Sequence, residues 1–199
     1  LISNITLEIK LPSVSALLTS TNSEVGYTNA IGHALIKQVQ LKIGGNIIDT
    51  QIGEWKDIWS GFSIPSGKQN IHKHIIKKYT SQSTSNFKGG TIFIPLLFWF
   101  CQNNNSNIDG NTTMALPLVG MRNCDIELIV EFRTLAEVLI YQDSSTLSAS
   151  QLATLSVESH NLLIDYIILE SEERIKYLEA KRQMYLITQI QHETISYDA

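Results

Sequence analysis

The side chains that could carry chemistry are few and scattered along the chain. His72 and His74, with His33 and His160 elsewhere, offer imidazole ligands for a metal, and a zinc site would need further ligands close by. The triplet His72-Lys73-His74 lies in a basic stretch with no neighbouring carboxylate or thiolate, so no metal site is expected there. Glu54 and Asp57 stand three apart, a spacing that places two carboxylates on one side of a helix, where they could pair as acid and base. Beside a tryptophan stripe they are read as a solvated edge with ordinary pKa values. Gly44-Gly45 lacks the spacing and the following Lys-Ser/Thr of a phosphate cradle. Cys101 and Cys124 are the only cysteines, too few for a disulfide framework and too far apart for a metal-type pair; each is expected to be a small buried hydrophobe. No nucleophile, base and orienting group can be assembled from these residues. The expectation is therefore a protein with no catalytic, cofactor-binding or metal-ligating residues, and not an enzyme. Asn4-Ile5-Thr6 and Asn111-Thr112-Thr113 fit the glycosylation acceptor pattern; the first falls in an expected strand, the second in an expected exposed loop.

What remains is a question of architecture. The 199 residues, 43% of them hydrophobic, are enough for one globular domain with a substantial core. Fifteen basic against 19 acidic residues give a formal charge of -4, with no basic segment to displace counterions from a phosphate backbone, so no direct nucleic-acid partner is expected. Two cysteines fit a reducing intracellular setting. The longest apolar run, Ile92 to Phe100, has nine residues and contains Pro95, whereas a spanning helix needs about 20. The first residue is Leu1, already within a strand-like pattern, and the expectation is a chain cut from a longer one.

Ile5, Leu7 and Ile9 alternate with Thr6, Glu8 and Lys10, as a half-buried strand requires. Val39, Leu41 and Ile43 repeat the pattern, Gly44-Gly45 supplies a two-residue turn, and Ile47 to Gln51 returns. Trp55, Ile58, Trp59 and Phe62 then adopt helical spacing, predicting a short helix that buries an aromatic stripe against the end of a sheet. Ser63 to Gly90 is read as a long exposed loop, and Gln102 to Thr113, with five asparagines, as a loop insertion. Between them Thr91 to Pro95 and Phe98, Trp99 and Phe100 return to the core. Asp125 to Arg133 alternates again, and Leu162 to Leu169, apolar on both faces except at Asp165, predicts a central strand. From Glu170 a charged helix is expected, with Ser171 as its cap. About seven short strands, few helices and long loops predict an antiparallel sandwich.

A series of segments stands out: Leu1-Ile2-Ser3 running into Leu7-Glu8-Ile9 and Leu11-Pro12; Tyr27 to Ile36; Ile43-Gly44-Gly45; Ile48-Asp49; Gly53-Glu54-Trp55; Asp57-Ile58-Trp59; Pro95 to Phe100; Ala115-Leu116-Pro117-Leu118; and Asp165 to Leu169 running on to Glu172-Glu173-Arg174. In order and spacing they resemble the major capsid proteins of nucleocytoplasmic large DNA viruses. The gaps, Ser13 to Val25, Ser63 to Gly90, Asn104 to Met114 and Thr134 to Asn161, coincide with loop-like stretches.

The resemblance implies an all-β antiparallel jelly-roll sandwich, the first half of a double jelly roll, with short helices in its loops. Residues 1–170 would form the first jelly roll, lacking its N-terminal arm and opening strand, and residues 171–199 a connector helix and segment toward a second jelly roll. It further implies a structural subunit of the virion, assembled in the host cytoplasm. Its partners would be two further copies in a homotrimer, neighbouring capsomers and minor capsid proteins, close to an internal viral membrane without crossing it. Fold alone does not separate this role from other uses of the same sandwich. A carbohydrate-binding module would draw on the amide-rich Gln102 to Thr113 loop, and a viral membrane scaffold would share the whole architecture.

Overall fold

In a computed structural model, residues 1–15, 25–79, 87–101, 115–121, 124–141, 155–180, 184, 187 and 189–193 are described. The opening alternation becomes β1 (Ile2–Leu11), with Ile5, Leu7, Ile9 and Leu11 buried. After it come β2 (Val25–Tyr27), α1 (Ile31–Ala34), β3 (Ile36–Ile43) and β4 (Asn46–Ile52). Next are α2 (Gly53–Ser63), α3 (Ser66–Ile76), β5 (Gly90–Pro95), β6 (Ile126–Phe132), β7 (Leu139–Tyr141), β8 (Ser159–Tyr166) and α4 (Ser171–Glu179). The strands pair antiparallel in the orders β5-β1-β8, β2-β7 and β4-β3-β6. Inward side chains of both three-stranded sheets, together with Phe98, Trp99 and Phe100, join one apolar cluster. The architecture is an all-β antiparallel jelly roll with short helices between strands.

The hairpin between β3 and β4 forms as its glycines require, with Gly44 at φ 58° and Gly45 at φ 80°. Both lie in the left-handed region, the pair of values that lets a two-residue turn match the twist of its strands. β6 pairs along the other side of β3, from Ile43↔Ile126 to Ile36↔Phe132. β1 is central in its own sheet, its partner β8 contributed by the far end of the jelly roll. The Ile167 N–H donates to the Leu1 carbonyl at 2.9 Å, extending the pairing of the two segments beyond the strands themselves.

Four expectations are corrected. The stretch from Ser63 is not all loop, since α3 occupies Ser66–Ile76. Pro65 precedes its first turn, where a fixed φ and a missing N–H suit a helix start. The end is closed by Lys77 at φ 58°, with the Lys78 N–H donating to the Lys73 carbonyl at 2.7 Å. Ile76 is fully buried against Gly32, so one well-placed isoleucine docks a helix whose period is otherwise weak.

The aromatic stripe of α2 faces outward: Phe62 is 81% and Ile58 53% exposed, while Trp55 and Trp59, stacked at 5.7 Å, are only half-buried. The inward residues are Gly53, Lys56 and Ser60. A β-carbon on Gly53 would lie 2.3 Å from the Ile36 carbonyl oxygen and 2.4 Å from that of His33. The start of the helix is thus pressed against backbone at Gly53, which fixes the face carrying Gly53, Lys56 and Ser60 inward and leaves the indoles on the outer side.

β8 spans Ser159–Tyr166 and stands at the end of its sheet among the described strands rather than centrally. Its apolar residues on both faces are partly uncovered, with Leu162 at 42% and Leu163 at 45% exposure. Finally, α4 is capped at Glu170 without a side-chain bond, and Ser171 is already its first residue.

The two glycines of α2 give a test of opposite sign. Gly53→Ala should destabilise the fold by about 1–3 kcal/mol by forcing the helix off the carbonyls, whereas Gly61, with nothing within 4 Å of its β-carbon position, should accept alanine with a gain of about 0.4–1 kcal/mol. Urea unfolding of the two variants measures both.

Candidate functional site at the helical end

The polar side chains that the fold gathers lie where α1, α2 and α3 meet. His33, 3% exposed, sits in α1, and its Nδ1 lies 3.1 Å from Asp57 Oδ1. Lys78, just past α3, donates from Nζ to both oxygens of the same carboxylate at 2.8 and 2.9 Å. The His72 ring packs against the His33 ring, centroids 5.5 Å apart. Asn29 completes the tie to the chain after α3, donating to the Tyr79 carbonyl at 2.9 Å and accepting from its N–H at 2.7 Å. On the far side of α1 the Arg133 guanidinium donates to the Ala34 and Ile36 carbonyls at 2.7 and 3.1 Å and to the Glu54 carboxylate.

Burial lowers the His33 pKa to about 4 against the pull of its Asp57 hydrogen bond, so the ring is neutral at pH 7 and donates a hydrogen bond rather than forming an ion pair. Burial works to raise the Asp57 carboxyl, but hydrogen bonds from Lys78 and His33 outweigh it and hold the group below its usual range. The negative charge of Asp57 is therefore answered by Lys78. Lys56, fully buried on the inner face of α2, donates to the Pro95 carbonyl at 3.3 Å; burial lowers its pKa to about 7. Burial likewise pushes the nearby Cys101 thiol up to about 12, the opposite of what a nucleophilic thiolate requires.

A histidine oriented by a carboxylate is half of a nucleophilic constellation, but the ring nitrogen facing Asp57 is next to a lysine-bound carboxylate, and Cys101 is held as a thiol. The arrangement binds three helices together. Among the described residues no group of three or more His, Cys, Asp or Glu is placed to hold a metal.

The residues weighed from sequence are distributed accordingly. His72 and His74 are on α3, not in a loop; His33 joins His72, while His160 is on β8 opposite Ile9. Glu54 and Asp57 are not a bare solvated edge, since each accepts from a basic side chain. Cys101 is half-buried, but Cys124 is exposed, because it lies before β6 rather than inside it. Asn4 pairs with Asp165 at 3.2 Å within the β1–β8 sheet, and the Asn111-Thr112-Thr113 tripeptide lies outside the described residues. Lys56 and Lys78 give no signal in sequence: a lysine in a helical pattern is ordinarily solvated, and only the docking of α2 and α3 reveals otherwise.

The clasp should be acid-sensitive. With a folded pKa of about 4 against 6.5 unfolded, His33 contributes stability that is present above pH 6.5 and lost as the pH falls toward 4, by about 3 kcal/mol over that span. His72, lowered chiefly by burial, acts in the same direction. Denaturant unfolding at a series of pH values should show a markedly shallower loss over this window for His33→Gln than for the parent chain.

A family model described as major capsid protein N-terminus matches residues 1–170. The major capsid protein of Pyramimonas orientalis virus is 30% identical over 182 residues, covering 89% of this chain and 41% of the relative. Capsid protein 1 of Acanthamoeba polyphaga mimivirus is 28% identical over 206 residues, covering 96% of this chain and 33% of the relative. The chain thus spans well under half the length of these relatives. Among solved structures, PBCV-1 VP54, fitted into a reconstruction of the virophage Sputnik, superposes with a TM-score of 0.68 at 20% identity, over 96% of this chain and 40% of that one. The order β5-β1-β8 against β4-β3-β6, the helices folded onto one end and a family match from the first residue to the end of the last strand converge on one assignment: the chain belongs to the major capsid protein N-terminus family.

Proposed function

We propose that the chain is the first jelly roll of a structural capsid subunit, residues 1–170, with a connector, residues 171–199, leading toward a second jelly roll. The subunit assembles as a homotrimer that meets neighbouring capsomers and minor capsid proteins in a shell built in the host cytoplasm. It performs no catalysis. The observation that carries this reading is the distribution of uncovered apolar side chains: Phe62 at 81%, Ile71 at 67%, Tyr166 at 60% and Ile168 at 93% exposure. These lie on α2, on α3, and on and just beyond β8, where an assembling subunit gains from covering what a solitary domain would keep hidden.

The end position of β8 supports the division of the chain. A strand with apolar residues on both faces at Leu162 to Ile164, paired on one side only among the described strands, is what a sandwich whose opening strand lies elsewhere in the protein would present. No helix among the described residues is long and apolar enough to cross a membrane, in keeping with a subunit that lies near an internal membrane without spanning it. The carbohydrate-binding alternative draws on the Gln102 to Thr113 loop, which lies outside the described residues.

Multi-angle light scattering of the full-length chain should give the mass of three copies. A monomeric mass at every concentration tested would overturn the homotrimer. Replacing Phe62 and Ile71 together by Ser should leave the unfolding midpoint nearly unchanged, as exposed positions usually do.

A further inference from the structure

β4 is the outer strand of its sheet among the described strands, and an outer strand offers unpaired carbonyls along its free side. The segment beyond α4 comes back to meet it. Ile187 packs against the main apolar cluster, the Gln189 side-chain amide donates to the Ile48 carbonyl, and the Ile190 N–H points at Asp49 Oδ1 at 3.4 Å. Asp49 is 3% exposed. Its other oxygen accepts from Gln51 Nε2 at 3.0 Å, and no basic group lies within ion-pair distance of it among the described residues. Lys56 Nζ donates to the Pro95 carbonyl instead.

A carboxylate taken out of water in this way is unfavourable unless several donors turn toward it. Gln51 supplies one, and the returning segment supplies another. Gln51 itself is fully buried, with Oε1 lacking a donor. The segment also roofs a cavity of about 380 Å³ whose remaining walls are Asp49, Gln51, Trp55, Trp59 and Leu97. The half-buried indoles of α2 thus share a cavity wall with the same stretch of chain.

We infer that the groove between the free side of β4 and the outward indoles of α2 is a docking surface for the chain's own connector, with Asp49 as its anchor, and that this docking sets the direction in which the polypeptide leaves the sandwich. The chemistry is that of a short strap: one apolar plug at Ile187, a side-chain bond to an open carbonyl, and a backbone N–H held by a buried carboxylate. Asp49 is a positioning residue. Without it, α4 would still leave β8, but the connector beyond α4 would be free to swing.

Hydrogen exchange on the full-length chain tests this. In the parent chain the Ile190 amide should be protected; in Asp49→Ala and in Gln189→Ala it should exchange at least tenfold faster, while the Val39 and Leu41 amides of β3 keep their protection. A second readout places spin labels at Cys124 and at Glu193→Cys on a Cys101→Ala background: one narrow distance distribution is expected in the parent and a broad one in either variant. An Ile190 amide that is already unprotected in the parent, or that is unchanged in both variants, overturns the inference. If Asp49→Ala also loosens β3, Gln189→Ala alone decides, because its side chain touches only the strap contact.

Discussion

Neither three-stranded sheet of this molecule can satisfy its apolar face alone, and the rest of the structure depends on that shared need. Ile5, Leu7 and Ile9 from one sheet and Val39 and Leu41 from the other are all buried in a single cluster, so each sheet is the other's solvent. Two layers of this kind leave their ends open. One end is closed by the pieces that sequence periodicity describes least well: a one-turn helix at Ile31–Ala34, the aromatic return at Phe98 to Phe100, and two helices in the long connection from β4 to β5.

Those helices are held by polarity as much as by apolar packing. Gly53 brings α2 down onto two carbonyls, which dictates which of its faces is inward. Lys56 then occupies a site where its charged form is disfavoured, and Asp57 collects His33 and Lys78 from the neighbouring elements. A buried or half-buried polar network of this kind is stabilising only while every member has its partner. It specifies one arrangement of three helices, where a purely apolar contact would tolerate several.

Much of the fold is legible in the residues, and the failures share one cause. Alternation locates β1, β3, β4 and β6, and local sterics alone determine the Gly44-Gly45 turn. Helical spacing locates α2, but periodicity reports only that a face exists, not which side of the chain will be covered. Indoles favour burial, which argues for an inward aromatic stripe; the steric demand at Gly53 and the groove beside β4 decide otherwise. α3 escapes detection since Ile71, Ile75 and Ile76 are a thin apolar signal in a Lys- and Ser-rich stretch, and the residue that docks it, Gly32, is distant in sequence. The polar clasp is invisible for the same reason. His33, Asp57 and Lys78 come from three separate segments, and no spacing rule connects them.

The pairing of β1 with β8 has a consequence for biosynthesis. A ribosome adds roughly 5–20 residues per second, so the first strand emerges on the order of ten seconds before the partner with which it will share a ladder from Ile2 to Lys10. During that interval it has only β5 on its other side, itself some eighty residues downstream. Contacts this distant along the chain make folding slow, and the nascent β1 is a sticky ribbon until β8 has emerged, which places a demand for chaperone protection on this strand while the stretch between the two is being made.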